Sequence, residues 1–234
     1  MSIEHPQLPL GLSLRNSARF ENYYPGSNKE AVATLTAVAA GDGEPLVFIA
    51  GQTGTGKSHL LQAACHAAGS HGLSTAYLPL AEMQSLAPEI LDGLETMSLV
   101  CIDDVDAVAG HAGWETALFN LFNQARAAGN TLVFAATRPP AECGFSIADL
   151  VSRLGWGLTY RFKPLGDAEL KAALEMRASG RGLELPDDTA RYLLNRISRD
   201  LPSVFELFDR LDEASMIEKR RLTIPFVKSV LMDN

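Results

Sequence analysis

The segment LVFIAGQTGTGKS, residues 46–58, decides the fold. Its first five residues are a short apolar run with β-branched Val47 and Ile49, the pattern of a strand buried on both faces. The next eight, Gly51–Ser58, fit G-x-x-x-x-G-K-[ST] and open onto Ser58–Ala68, where apolar residues recur three and four apart as on a helix. Strand, glycine-rich loop and helix in that order make a phosphate cradle. Gly51, Gly54 and Gly56 permit backbone angles that side chains forbid, so successive amides point inward at a helix N-terminus. Gln52, Thr53 and Thr55 complete the loop and His59 follows it. Lys57 supplies an ammonium charge for the outer phosphates of a nucleotide, and the Ser58 hydroxyl is a ligand for Mg2+.

Working outward, Leu99–Asp103 (LVCID) and Thr131–Ala136 (TLVFAA) read as further buried strands, with Thr75–Leu80 and Leu158–Phe162 as a fourth and fifth. Helical spacing returns at Trp114–Ala128. Buried strands alternating with helices imply an α/β fold, a parallel five-stranded sheet flanked by helices. Beyond Lys163 no strand candidate remains. Asp167–Ser179, Asp187–Ser198, Pro202–Ile217 and Ile224–Met232 read as helices, several opened by Asp or Pro start signals. The expected domains are an extended tail at 1–17, a nucleotide-binding α/β domain at 18–163 and a small all-α lid at 164–234.

Composition sets the outer bounds. With 234 residues, 47% hydrophobic and 21% charged, the chain suits a globular protein, and no apolar run approaches the ~18 residues that span a bilayer. Glu4 and nearby prolines stand where a signal peptide would be basic and apolar, so a cytoplasmic location is expected. Cys65, Cys101 and Cys143 are widely spaced without CxxC, as in reduced thiols rather than disulfides or a metal cluster. A net charge of −8 argues against a nucleic-acid backbone as main partner, and against a DNA-acting helicase loader. Lys219-Arg220-Arg221, the one tight basic cluster, suits the last turn of a helix.

Three further groups carry chemistry. Asp103 and Asp104 end a hydrophobic strand, where a P-loop enzyme holds Mg2+ through water and polarises the attacking water. Asp104 is one methylene shorter than the glutamate common at that position, which suits slow hydrolysis. Thr137, ending the TLVFAA strand, is either a sensor of the outermost phosphate or an ordinary strand terminus. In HPQLPLGLSL, residues 5–14, Pro6 and Pro9 keep the chain extended, so alternate leucines point one way and must be covered by this protein or by another.

These parts resemble AAA+ ATPases, and one stretch narrows the match. Ser152-Arg153-Leu154-Gly155-Trp156-Gly157-Leu158 is similar to the SRFGWGL signature of the bacterial replication initiator DnaA, with Leu154 for phenylalanine. Phe20–Asn28 (FENYYPGSN) resembles the start of the initiator's adenine pocket, which implies nucleotide contacts for Tyr23 and Tyr24. Leu222–Lys228 (LTIPFVK) resembles the end of its lid. The initiator continues into a helix-turn-helix domain, whereas this sequence ends at Asn234, so the closer resemblance is to the Hda family of DnaA-homologous regulators.

That resemblance implies partners and roles. Gln7-Leu8-Pro9-Leu10-Gly11-Leu12 is similar to the QL[SP]LPL peptide by which the family docks on the β sliding clamp of DNA polymerase III, with Gly11 for proline. Gln7 would supply hydrogen bonds and Leu8, Leu10 and Leu12 would fill apolar pockets. Arg153 is implied as a finger acting in trans on ATP bound to DnaA, where a guanidinium meets charge developing on the γ-phosphate. Pro202 replaces the lid arginine of the initiator, with Arg196 and Arg199 as nearby substitutes. Little ATPase activity of the chain's own and a stable ADP or ATP complex are expected, in a monomer or a homodimer, without sequence-specific DNA binding. The alternative is a stand-alone AAA+ ATPase that self-assembles and remodels a protein substrate.

Overall fold

The computed structural model describes residue 14, residues 18–194, residues 208, 210 and 211, and residues 222–232. Five parallel strands form one sheet: β1 (Leu46–Ala50), β2 (Thr75–Pro79), β3 (Leu99–Asp103), β4 (Thr131–Ala136) and β5 (Leu158–Arg161), in the order β2-β3-β4-β1-β5. The described helices are α1 (Lys29–Ala39), α2 (Lys57–Ser70), α3 (Leu80–Met83), α4 (Ala112–Ala128), α5 (Ala148–Leu154), α6 (Asp167–Gly180), α7 (Asp187–Leu194) and α8 (Ile224–Met232).

Strand alternation divides the sheet into two apolar faces. Leu46, Phe48 and Ala50 of β1, Val100 and Ile102 of β3, and Leu132, Phe134 and Ala136 of β4 face α3, α4 and α5. Val47, Ile49, Leu99, Cys101, Val133 and Ala135 face α1 and α2. Every residue of β1 and β3 is buried, as a parallel sheet covered on both faces requires. Each large aliphatic side chain removed from water contributes roughly 1.5–3 kcal/mol, which is why these strands read as unbroken apolar runs. The connection from β1 through α2 crosses one face, and those through α4 and α5 cross the other. The carboxyl ends of β1 and β4 therefore border the crevice where such sheets bind ligands.

A separate core joins α6, α7 and α8 through Leu174, Leu193, Phe226 and Val227, with Phe208 and Leu211 between them. The Glu169 carboxylate accepts the Gly166 amide at 2.9 Å and caps α6. Asp187 pairs with both Lys171 and Arg191, which ties α6 to α7.

β1, β3 and β4 have the expected bounds. β2 stops at Pro79, which has no amide to extend a ladder, and Leu80 starts α3. β5 ends at Arg161, although the Phe162 amide still donates to the Ala50 carbonyl at 2.6 Å. Helices α1 and α5 were not expected. Gln7, Leu8, Leu10 and Leu12, together with Arg196, Arg199, Pro202 and Lys219–Arg221, lie outside the described residues. Among the described residues no helix is long and apolar enough to cross a membrane.

Candidate functional site

Gly51–Gly56 turns tightly between β1 and α2. Gly54 and Gly56 hold φ of +83° and +88°, left-handed values that glycine adopts without strain, and Gly56 is the residue from which α2 starts. The Lys57 ammonium is buried and donates to the Gly51 and Gln52 carbonyls at 2.7 and 3.2 Å. Burial lowers its pKa, although Asp103, Asp104 and Asp106 pull it back upward. Thr55 is buried, with its hydroxyl donating to the Gln52 carbonyl at 2.8 Å, while Gln52, Thr53 and Ser58 are exposed around the mouth.

The stretch before α1 braces this loop from beneath. Tyr23 is buried, and its hydroxyl donates to the Thr55 carbonyl at 3.1 Å while accepting from the Asn28 amide at 3.4 Å. Burial drives its pKa up to about 12. A Cβ on Gly56 would lie 2.5 Å from the Tyr23 ring. Tyr23 is thus a prop for the loop, and half-buried Tyr24 is the more accessible of the two. Asn28 also exchanges two hydrogen bonds with the Lys163 backbone, at 3.1 and 3.2 Å, which fastens the same segment to the start of the lid connection. His59 donates through Nε2 to the Arg19 carbonyl at 2.8 Å, and its ring tilts against Tyr23.

At the end of β3 the two aspartates differ. Asp103 is 1% exposed; one carboxylate oxygen accepts the Tyr77 hydroxyl at 2.9 Å and the other accepts the Asp104 amide at 3.0 Å. Asp104 has a φ of +50°, the one left-handed non-glycine residue among those described. Its carboxyl is raised to about 6 by burial and by Asp103, with Lys57 opposing and Asp106 and Glu82 adding to the rise. Asp106 accepts both the amide (3.0 Å) and the hydroxyl of Thr137. Thr53, Ala81, Asp104, Asp106, Ala107 and Thr137 line a cleft of about 350 Å³ beside the loop. Ser58 and Asp103 offer hard oxygen donors suited to Mg2+. Among the described residues no three His, Cys, Asp or Glu side chains converge as a metal site.

Arg153 stands elsewhere. It closes α5, is half-buried, and lays its guanidinium 5.9 Å from the rings of Phe119 and Phe122 on α4. Among the described residues no carboxylate forms an ion pair with it. Gly157, four residues on, packs against the Leu46 backbone at the opening end of β1, whereas the phosphate loop leaves the closing end. The length of β1, on the order of 15 Å, separates them.

The family model of the bacterial DnaA ATPase domain matches residues 14–161, more than half of the chain. The chain belongs to the bacterial DnaA ATPase family. A second model, the Hda lid domain, matches residues 167–231, so a DnaA-type ATPase domain continues into an Hda-type lid. Solved structures agree on the fold. Domain III of the replication initiation protein DnaA from Thermotoga maritima is 23% identical with a TM-score of 0.80, over 94% of this chain and 98% of that one. AMPPCP-bound DnaA from Aquifex aeolicus is 22% identical with a TM-score of 0.71, over 84% of this chain and 65% of that one. The RuvB Holliday junction branch migration motor of Thermotoga maritima reaches a TM-score of 0.66 at 18% identity, over 92% and 73%. The architecture of this DnaA-family chain is thus an AAA+ sheet domain with a helical lid.

The structure brings together Gly51–Ser58, Asp103, Asp104 and Tyr23, and places Thr137 across the cleft on Asp106. Sequence reasoning missed Asp106, Tyr77 and Asn28. Asp106, three residues after Asp103, was legible as a third carboxylate on the same loop; Asn28 ends the FENYYPGSN stretch without a role being read for it, and Tyr77 carries no local pattern.

Proposed function

We propose that this chain is a regulator of replication initiation that binds a nucleotide, ADP or ATP with Mg2+, on Gly51–Ser58. It docks on the β sliding clamp through Gln7, Leu8, Leu10 and Leu12 and offers Arg153 to ATP held by DnaA. The observation that carries this is the setting of Arg153. Its guanidinium rests on two aromatic rings, half-buried and without a carboxylate partner among the described residues, on the helix that leads to the opening end of β1, whereas the phosphate loop leaves the closing end. A permanent charge held there serves another molecule's phosphate better than its own. The AMPPCP-bound DnaA structures support nucleotide binding in this fold, and Lys57 is placed to trade its two carbonyl bonds for phosphate oxygens.

In its own site Asp104 does the weaker half of the work. Asp104 is one methylene shorter than the glutamate common at that position and its backbone is left-handed, so it is poorly placed for an attacking water, which supports slow turnover of the chain's own nucleotide. Docking on the clamp raises the local concentration of a weak encounter and confines it to replicated DNA. The deciding experiment is hydrolysis of DnaA-bound ATP with clamp and DNA present. Arg153→Ala should lower the stimulation about 10³-fold, the usual worth of an arginine finger. Equal stimulation by the variant refutes the assignment, and fast ATP turnover by the purified chain alone favours a self-assembling ATPase instead.

A further inference from the structure

We infer that Glu115, buried at the start of α4, is the positioning residue that sets α5 and hence Arg153; this rests on the function proposed above for Arg153. Glu115 is 0% exposed, and its carboxylate accepts four hydrogen bonds from three backbone amides. Oε1 takes Gly110 at 2.7 Å and Ser146 at 2.9 Å; Oε2 takes Ser146 at 2.9 Å and Ile147 at 2.8 Å. Burial would raise its pKa, but the Ser146, Gly110 and Ile147 amides and the nearby His111 outweigh it and hold the carboxyl below its usual range. A carboxylate kept ionised without water costs several kcal/mol unless its lone pairs are filled, so this site is built to hold those three amides in place.

Two of the amides open α5. That helix has only seven residues, Ala148–Leu154, and no side-chain cap of its own; Ile147 is its N-cap, and the Glu115 carboxylate takes the N-cap amide as the carboxylate of a capping box does. The same stripe of α4 then continues beneath it. Glu115, Phe119 and Phe122 stand at i, i+4 and i+7, one face of the helix: the first grips the beginning of α5, and the other two carry the guanidinium at its end. Leu118 and Phe122 share a core with Leu150 and Leu154, which closes the seat between the two ends.

The third amide leads back to the phosphate site. Gly110 ends the turn that follows Asp103 and Asp104 and carries Asp106, and Asp106 holds Thr137. The connection from β4 to α5, residues 137–147, is thereby fastened at both ends, by Asp106 of that turn at its start and by Glu115 of α4 at its finish. Glu115 is the shared anchor between the chain's own aspartate loop and the helix that presents Arg153.

The test compares wild type, Glu115→Gln, Ile147→Pro, Arg153→Ala and the Glu115→Gln/Arg153→Ala double variant. Each is assayed for stimulation of hydrolysis of DnaA-bound ATP with clamp and DNA, and for its own affinity for ADP. Glutamine keeps one carbonyl acceptor but turns an NH2 group toward an amide donor. Ile147→Pro, at a φ of −87° close to proline's range, removes the amide that Oε2 accepts together with a partly buried side chain. A misplacement of ~1 Å costs up to about a hundredfold in rate. Glu115→Gln should therefore lose on the order of ten- to a hundredfold of the stimulation, Ile147→Pro should lose stimulation in the same direction, and ADP affinity should stay unchanged in both. Adding Glu115→Gln to Arg153→Ala should cost nothing further. Full stimulation by Glu115→Gln, an equal further loss in the Arg153→Ala background, or a parallel fall in ADP affinity overturns the inference. If Glu115→Gln does not fold, Ile147→Pro decides by the same criteria. Wild-type stimulation by Arg153→Ala instead strikes at the proposed function, so the two failures are distinguishable.

Discussion

Replacing Gly56 by alanine tests the floor of the phosphate loop. Two costs can be read from the structure. The left-handed φ of +88° costs an alanine roughly 1–2 kcal/mol. Its Cβ would also lie 2.5 Å from the Tyr23 ring, which cannot slide away without giving up the hydroxyl bond to Thr55 and the Asn28 contact. A buried carbonyl left unpaired costs ~1–3 kcal/mol, so the variant should be destabilised by about 2–5 kcal/mol in all. Urea unfolding with an unchanged slope would measure it. A second background separates the two terms: with Tyr23→Leu already in place the ring is gone, and Gly56→Ala should then cost only the backbone part, roughly 1–2 kcal/mol. The same variant should lose most of the shift in melting temperature that ADP gives the wild type, because the loop amides no longer converge. A cost below ~1 kcal/mol, or the same cost in both backgrounds, would refute the view that Tyr23 props the loop.

Two more outcomes follow from the electrostatics. Asp104 has its carboxyl raised from 3.8 to about 6 in the folded chain, so the native state holds that proton more tightly than the unfolded state and loses stability as pH rises through this window. Asp104→Asn, which also tolerates a left-handed φ, should match the wild type in melting temperature below pH 3.8 and exceed it above pH 6; an equal offset at both pH values contradicts the assignment. Arg126 stacks its guanidinium 4.3 Å above the exposed Trp156 ring, so Arg126→Ala should cost only about 0.5–1 kcal/mol yet shift the Trp156 emission, while buried Trp114 serves as an internal reference.

Legibility of the sequence followed burial. β1, β3 and β4 are covered on both faces, and their apolar runs end where burial ends, so their bounds were readable. α1 was not, because its buried positions Ala31, Leu35, Val38 and Ala39 sit in a stretch of small and apolar residues with little contrast between faces. α5 makes barely two turns, too few to establish a period. The glycines, Lys57 and the paired aspartates announced themselves because phosphate chemistry demands those residue types at close spacing. Tyr23 did not announce its role as a prop, since that depends on a ring meeting Gly56 across 33 positions of chain. Glu115 was hidden for the opposite reason: an acidic residue in the first turn of a helix is expected to face solvent and complement the dipole, yet here it is buried.

On the proposed function, the placement of the two charged groups explains why one protein would act on another's nucleotide. Lys57 and Arg153 are carried by elements at opposite ends of the same strand direction, and β1 between them is buried over its whole length. A packed strand does not shorten, so the arginine cannot swing to its own loop without dismantling the core that holds both. The loop from Asp103 through Asp106 and Gly110 is bound into the same frame: Val105 and Val108 are buried in the core against which Phe145 and Ile147 pack, and Asp106 and Glu115 accept the Thr137 and Ile147 amides. On that function the sheet is the fixed frame that leaves the guanidinium available to a second molecule while the phosphate loop holds this chain's own nucleotide.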